Sequence, residues 1–157
     1  MKPKVYLETT IPSYLTSRKS ENVLVLANQL ITDEWWSERR LHYELYISEF
    51  VLIEAALGDP AMAKRRLAFL DGISKLETTN QVLELGNDLI TEGALPKKAE
   101  IDAFHIAVAS VHRITYLLTW NCTHLANAAM RTNIETVCKN HKFQPPIICT
   151  PFELMED

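Results

Sequence analysis

The sequence predicts an α/β protein in which helices flank a central, mostly parallel β-sheet. Three observations predict this class. Five short segments have strand character, longer helical patterns separate them, and no repeat, linker or low-complexity stretch divides the chain. Strands that alternate with helices in this way are typical of βαβ units, whose helices cover both faces of a parallel sheet. The 157 residues fit one domain with a continuous core, so we expect residues 1–157 to fold as a single domain.

The first third of the chain contains two predicted strands and one long helix. Lys4–Glu8 is a short apolar run typical of a strand, and the stretch Thr9–Ser13, which contains a proline, predicts a turn after it. Ser20 and Glu21 introduce a long helical pattern. The apolar face of this helix consists of Val23, Leu26, Ala27, Leu30 and Ile31. Leu45–Ser48 predicts the second strand.

Helices and strands continue to alternate through the middle of the chain. Ser48 is placed to cap a helix that runs to about Leu57, and Gly58-Asp59-Pro60 ends that helix and starts the next. Ser74–Thr78 has weaker strand character, and Asn80 caps the helix that follows it.

The last third predicts two helices and two strands. Pro96 opens a helix, the apolar and β-branched segment Thr115–Thr119 predicts a strand, and either Asn121 or Thr123 caps the last long helix. Ile147–Cys149 is the final predicted strand. Because functional residues of open parallel sheets gather at the carboxyl ends of the strands, we expect a site at that edge.

Composition excludes several classes of protein. A hydrophobic content of 47% with 23% charged residues indicates a globular chain, and no apolar run approaches the roughly 20 residues needed to span a bilayer, so we expect no membrane partner. Three cysteines without a CxxC pair, and an N-terminus without a signal-peptide core, favour the reduced cytoplasm. The net charge of −4 argues against a general affinity for nucleic acid.

Three carboxylates stand alone in apolar surroundings. Glu8 ends the first strand, Glu54 interrupts an apolar helix, and Asp102 enters another. Acids are almost never fully buried unless they are paired or bind a metal. Three such acids near the ends of predicted elements indicate one acidic pocket that holds a divalent cation, because like charges so close together would otherwise keep some of the acids protonated.

Four motifs resemble PIN domains by their order and spacing, and the resemblance covers nearly the whole chain. The motifs are Val5-Tyr6-Leu7-Glu8-Thr9, Ile47-Ser48 with Glu54 six residues after the serine, Asp102-Ala103-Phe104-His105-Ile106-Ala107, and Leu118-Thr119-Trp120-Asn121. The sequence is most similar to VapC-type toxin proteins within that family.

The resemblance implies a metal-dependent endoribonuclease, the toxin of a type II toxin–antitoxin pair. Glu8, Glu54 and Asp102 would be its catalytic, metal-binding acids, and Mg²⁺ or Mn²⁺ its cofactor. Thr9, Ser13, His105, Asn121 and His124 would complete the pocket. The implied partners are an RNA substrate, an antitoxin whose basic side chain covers the acidic pocket, and a second copy of the chain bound through the N-terminal helices.

The sequence departs from the family pattern at two positions. Glu8 stands where Asp is usual, and His124 stands where a fourth acid is usual, whereas Asn121 agrees with the family. Imidazole is a poor ligand for Mg²⁺, so His124 could ligate Mn²⁺ or contact a phosphate instead. The rival hypothesis is therefore a catalytically weakened PIN fold that binds RNA or protein without cutting. A third is an unrelated α/β domain whose three acids are dispersed and structural.

Each site residue also has a structural interpretation. Glu54 could pair with a basic side chain, Asp102 could favour its helix dipole, and Glu8 could cap the turn after the first strand. His105 is either a satisfied, partly buried histidine or a side chain that orients Asp102, three residues before it. The hydroxyls of Thr9, Thr10 and Ser13 either form the turn or lie beside a metal-bound water or phosphate.

Two further patterns are weaker. Cys122 with His124 and Cys138 with His141 resemble zinc-ligand pairs, but they would lie at opposite ends of one predicted helix, more than about 20 Å apart at 1.5 Å per residue. The pair Trp35-Trp36 could anchor a partner, although we expect at least one of these side chains in the core.

Overall fold

A computed structural model describes residues 1–155, and over this range five strands form one sheet. The strands are β1 (Lys4–Leu7), β2 (Glu44–Ser48), β3 (Ser74–Leu76), β4 (Tyr116–Leu118) and β5 (Ile147–Cys149). Their order is β3-β2-β1-β4-β5 and every adjacent pair is parallel. The predicted α/β class and the five predicted strands are confirmed, and the sheet is entirely parallel within the described residues.

Seven α-helices of the described chain flank the sheet. They are α1 (Thr10–Thr16), α2 (Val23–Glu34), α3 (Glu49–Ala55), α4 (Pro60–Leu70), α5 (Asn80–Thr91), α6 (Glu100–Val111) and α7 (Ala128–Asn140). A π-helical turn, Trp35–Arg39, continues α2, and 3-10 turns occupy Arg40–His42, Lys97–Ala99 and Pro151–Leu154. No helix in this range is both long and apolar enough to cross a membrane.

Helix α1 replaces the turn predicted over Thr9–Ser13, so that prediction is wrong. Pro12 is the third residue of this helix. The N–H groups of a first helical turn have no partner inside the helix, so proline is tolerated there without the loss of a hydrogen bond. The chain therefore enters a helix almost immediately after Glu8, which places the Thr10 hydroxyl on the Glu8 carboxylate and the Thr9 hydroxyl on Glu54.

The helix caps differ from the predictions by one or more residues. Asn22 caps α2 through its side-chain oxygen, two residues after Ser20, and Thr79, not Asn80, caps α5. Asn127 caps α7 in place of Asn121 or Thr123. Ser48 occupies the cap position of α3, but its hydroxyl does not cap the helix.

Helix α6 is the most deeply buried helix and places its side chains behind the centre of the sheet. Eight consecutive residues, 103 to 110, are buried, and the central strand β1 contributes Val5, Tyr6 and Leu7 to the same core. Gly86 of α5 allows a close approach to α6, because a Cβ atom there would lie 2.3 Å from the ring of Phe104. This packing carries polar residues of α6 into the interior. Trp35 is also fully buried, as expected for one residue of the tryptophan pair.

Candidate metal centre

Glu8 lies at the switch point of the sheet, where β1 separates the strands added on its two sides. It follows β1 directly and only 3% of its surface is exposed. Its Oε1 accepts hydrogen bonds from the hydroxyls of Thr10 and Thr119, each at 2.6 Å, and from the Thr10 N–H at 3.2 Å. Burial raises the pKa of Glu8 above its ordinary value, although the charge of His105 and these hydrogen bonds oppose that rise.

Glu54 reaches the same region from α3. Its Oε1 accepts hydrogen bonds from the Thr9 hydroxyl at 2.7 Å and from Nε2 of His105 at 2.5 Å. Burial is the largest single influence and would raise the pKa of Glu54. The hydrogen bond and charge of His105, together with Thr9, outweigh it and hold that pKa below its ordinary value. The environment of Glu54 therefore favours the ionised carboxylate, whereas that of Glu8 disfavours it.

His105 connects Glu54 to a buried chain of hydroxyl groups. The ring is fully buried, and its Nδ1 lies 2.6 Å from the hydroxyl oxygen of Tyr6, which lies 2.7 Å from the hydroxyl oxygen of Ser48. Both ring nitrogens are thus engaged, so His105 is a satisfied histidine, and one that is fully rather than partly buried. Its hydrogen-bond partners are Glu54 and Tyr6, and Asp102 is not among them.

The carboxylates of Glu8 and Glu54 and the ring of His105 form a compact group. One potential ligand atom from each lies within 4.8 Å of the others. On both carboxylates the hydrogen bonds from described residues fall on Oε1, and Oε2 receives none of them. Carboxylate oxygens are hard ligands, so two carboxylates this close together suit a divalent cation such as Mg²⁺ or Mn²⁺. The residues present therefore fit a metal ion.

Asp102 lies beside this group, near the start of α6. Its Oδ2 is 3.2 Å from Nδ1 of His124, and the Asn121 side chain lowers the pKa of the Asp102 carboxyl. Burial raises the pKa of Asp102, the charge of His105 lowers it, and the charge of Glu54 raises it further. Asp102 is therefore close enough to His105 and Glu54 for their charges to shift its pKa, but it lies outside the 4.8 Å group found among the described residues.

The segment after β4 positions Asn121 and His124. The Asn121 side-chain oxygen accepts hydrogen bonds from the backbone N–H groups of Thr123 at 3.2 Å and His124 at 3.0 Å. Asn121 therefore stabilises a turn that directs the His124 ring toward Asp102. His124 thus pairs with Asp102 and adds no negative charge there.

The remaining residues of the predicted pocket divide into two groups. Thr9 bonds Glu54 directly, whereas Ser13 lies on the next turn of α1 and no hydrogen bond within the described chain joins its hydroxyl to the acids. The prediction missed Tyr6, Ser48 as its partner, and Thr119. A buried tyrosine hydroxyl needs a hydrogen-bond partner, so Tyr6 in the middle of an apolar strand was the available signal.

Comparison with known proteins supports the fold and does not extend to the function. No protein-family model matches the sequence, and no curated protein matches it. The chain is similar to a chain in the crystal structure of VapBC2 from Rickettsia felis bound to a DNA fragment from their promoter. That likeness covers 93% of this chain and 97% of the other, with a TM-score of 0.54 and 15% sequence identity. It supports a PIN-like α/β fold, in agreement with the resemblance drawn from the motifs.

Proposed function

We propose that this protein is a divalent-metal-dependent endoribonuclease that acts as the toxin of a type II toxin–antitoxin pair. One observation carries the proposal. Two carboxylates, Glu8 and Glu54, are each hydrogen-bonded through Oε1, and with His105 they form one group whose potential ligand atoms lie within 4.8 Å of one another. We expect Asp102, whose pKa responds to the charges of His105 and Glu54, to supply a third carboxylate.

Glu8, Glu54 and Asp102 would hold the cation. When bound, Mg²⁺ or Mn²⁺ lowers the pKa of a coordinated water and offsets the negative charge that develops on the phosphoryl oxygens. Thr10 and Thr119 fix Glu8, and Thr9 and His105 fix Glu54, so little side-chain freedom remains to be lost on binding. The ionised form of Glu54 is available before a metal arrives.

The reaction would be hydrolysis of a phosphodiester. The water oxygen forms a bond to phosphorus, the bond from phosphorus to the leaving ribose oxygen breaks, and no covalent enzyme intermediate is required. Nδ1 of His124 contacts Asp102, and Nε2 of the same ring makes no hydrogen bond with the rest of the described chain. We expect that nitrogen to contact a phosphate oxygen of the substrate.

A second candidate function is a PIN-fold module that binds RNA or protein without cleavage. The observation that favours it is that two histidines lie next to the acids. His105 hydrogen-bonds Glu54, and His124 occupies the position of a fourth carboxylate. Fewer acids mean weaker attraction for a second cation, and two-metal catalysis would then be lost.

Cleavage of a mixed RNA panel distinguishes the two functions. Wild type is incubated with Mg²⁺, Mn²⁺ or EDTA beside two variants, Asp102→Asn in the pocket and Asp71→Asn on the surface after α4. The nuclease proposal expects metal-dependent cutting that Asp102→Asn abolishes and Asp71→Asn leaves unchanged. Metal binding by calorimetry without cutting favours the binding module, and the absence of both refutes the metal site.

An antitoxin partner belongs to the same proposal. The solved neighbour is a VapBC2 complex bound to a DNA fragment. By analogy, we expect a cognate antitoxin to place a basic side chain over Glu8, Glu54 and Asp102. Co-expression with the product of an adjacent small gene, followed by co-purification of wild type and of Asp102→Lys, tests it. Loss of the complex with the reversed charge is the expected result, and an unchanged complex contradicts this mode of binding.

A homodimer through α2 is also proposed. Three apolar side chains on this helix are exposed, Val23 at 77%, Leu24 at 78% and Leu30 at 53%, while its buried face includes Gln29 and Thr32. An apolar stripe of this kind is typical of an interface. We expect wild type to elute as a dimer in light-scattering chromatography and Leu24→Glu to elute as a monomer; a monomeric wild type refutes the interface.

A further inference from the structure

A basic groove lies between α7 and β5, away from the acidic pocket. Two adjoining cavities of about 590 and 550 Å³ share the segment from Lys142 to Pro145 and the side chain of Ile147. Together they form one groove, and Glu8, Glu54 and Asp102 line neither part of it. Cavities of this size are in the range of ligand-binding sites.

Four cations line this groove and one acid does. Arg131, Lys139 and Lys142 face the first cavity with Glu135, and Arg113 and Lys142 face the second. The four basic side chains are exposed, and none takes part in the salt bridges of the described chain. Arg131 donates a hydrogen bond to the Ile148 carbonyl oxygen at 3.5 Å, so in a protein with a net charge of −4 the groove keeps a local excess of positive charge.

Two of these cations occupy a backbone conformation that favours glycine. Arg113 (φ 56°) follows α6 and Lys142 (φ 64°) follows α7, and within the described residues they alone have positive φ without being glycine. Glycine is common at this position after a helix because it has no Cβ to clash. A cation near a helix C-terminus interacts favourably with the helix dipole, but a residue with negative φ in the last turn would gain the same interaction. Both strained positions border the same cavity.

We propose that this groove binds the phosphodiester backbone of a single strand of RNA; the choice of RNA rests on the proposed function. Arg131 and Lys139 are about 12 Å apart along α7, at 1.5 Å per residue, which exceeds the reach of a single phosphate group. Basic side chains spaced in this way suit a ligand that carries several negative charges along its length. Nucleic-acid strands supply one charge per nucleotide, and their binding depends on such rows of lysine and arginine.

The floor of the groove favours unpaired bases. Phe143 and Pro145 are partly buried apolar residues between the cations of the two cavities. Bases stack on such surfaces when they are free of a duplex, and an aromatic face accepts any base. A single strand can therefore place its phosphates on the basic rim and its bases on the apolar floor.

Binding is measured by fluorescence anisotropy of a labelled oligoribonucleotide in EDTA, so that cleavage cannot interfere. The test variant is Lys139→Gln with Lys142→Gln, and the matched control is Lys64→Gln with Arg65→Gln on α4, which removes the same charge elsewhere. Each lost phosphate contact makes the slope of log K against log salt shallower by about 0.7. We expect a change of about 1.4 for the groove variant and none for the control. Equal slopes in both variants overturn the proposal.

Lys142→Gly separates binding from folding. Glycine relieves the left-handed position, so the melting temperature is expected to stay level or rise while RNA affinity falls. Lys142→Arg keeps the charge and should keep the affinity. If Lys142→Gly binds RNA as wild type does, the lysine serves only the fold and the proposal is wrong. The proposal is also wrong if wild type binds no RNA but binds a labelled poly-glutamate peptide that the groove variant loses, because the occupant is then an acidic protein segment.

These outcomes are independent of the metal centre. Groove-dependent RNA binding in a protein that never cuts would leave the groove in place and refute the nuclease. Cutting at the wild-type rate and with wild-type substrate affinity by the groove variant would leave the nuclease in place and refute the groove.

Discussion

Removal of the Tyr6 hydroxyl tests whether the buried chain behind Glu54 stabilises the fold. Tyr6→Phe keeps the ring and its packing, so no cavity forms, but it deprives both Ser48 and Nδ1 of His105 of a hydrogen-bond partner. A buried polar group left without a partner costs about 1–3 kcal/mol. Because two groups are affected and both are buried, we expect a loss of about 2–6 kcal/mol in the free energy of unfolding.

Tyr46→Phe is the matched control for this measurement. Tyr46 lies directly opposite Tyr6 in the β1–β2 register, and its hydroxyl bonds Glu44 at the exposed surface. Urea denaturation monitored by circular dichroism gives both free energies, and the control should change by less than about 0.5 kcal/mol. Equal losses in the two variants, or a Tyr6→Phe protein as stable as wild type, would refute the role assigned to the chain of hydroxyls.

Three further outcomes follow from the structure. Burial raises the pKa of Glu8, so in the metal-free protein its contribution to stability is fully present below the ordinary pKa and is lost as the pH rises through the raised pKa. Glu8→Gln should therefore increase the melting temperature at pH 8 and abolish Mn²⁺ binding in calorimetry. For the same reason, Mn²⁺ should stabilise wild type more at pH 8 than at pH 5. Differential scanning fluorimetry with Mn²⁺ or with EDTA measures this effect, and equal shifts of the melting temperature at the two pH values would contradict it. Gly86→Ala places a methyl group 2.3 Å from the Phe104 ring and should lower the free energy of unfolding by about 1–3 kcal/mol in urea denaturation. Gly72→Ala is the control, because that site has open space but a positive φ, so it measures backbone strain without this clash.

Much of the fold could be predicted because local pattern and tertiary structure agree. The strands are short apolar runs, and each predicted strand overlaps the observed one. Helix α1 could not be predicted, because threonine and proline at Thr9–Ser13 are as common in turns as in a first helical turn. Cap positions failed for a related reason. Ser20 and Asn22 are both good caps, and only the backbone geometry selects between them.

The candidate site could be predicted as a set of acids but not as a network. Glu8, Glu54 and Asp102 are visible because isolated charges in apolar runs are unusual. Their partners are visible only in the fold, since Thr119 is 111 positions from Glu8 and His105 is 51 from Glu54. The three-residue spacing from Asp102 to His105 indicated a pair within one helix. The close contact between α3 and α6 brought the ring to Glu54 instead.

The position of β1 in the sheet has a consequence for synthesis of the protein. Glu8 is translated before its partner strand β4 and before Thr119, which lie more than a hundred residues further along the chain. Until then one edge of β1 has no partner strand, and Glu8 lacks its hydrogen bond from Thr119. For most of that interval Asp102 and His105 have not been translated either. A nascent or prematurely terminated chain therefore carries only an incomplete acidic pocket. The acidic centre can therefore assemble completely only after Thr119 has been translated.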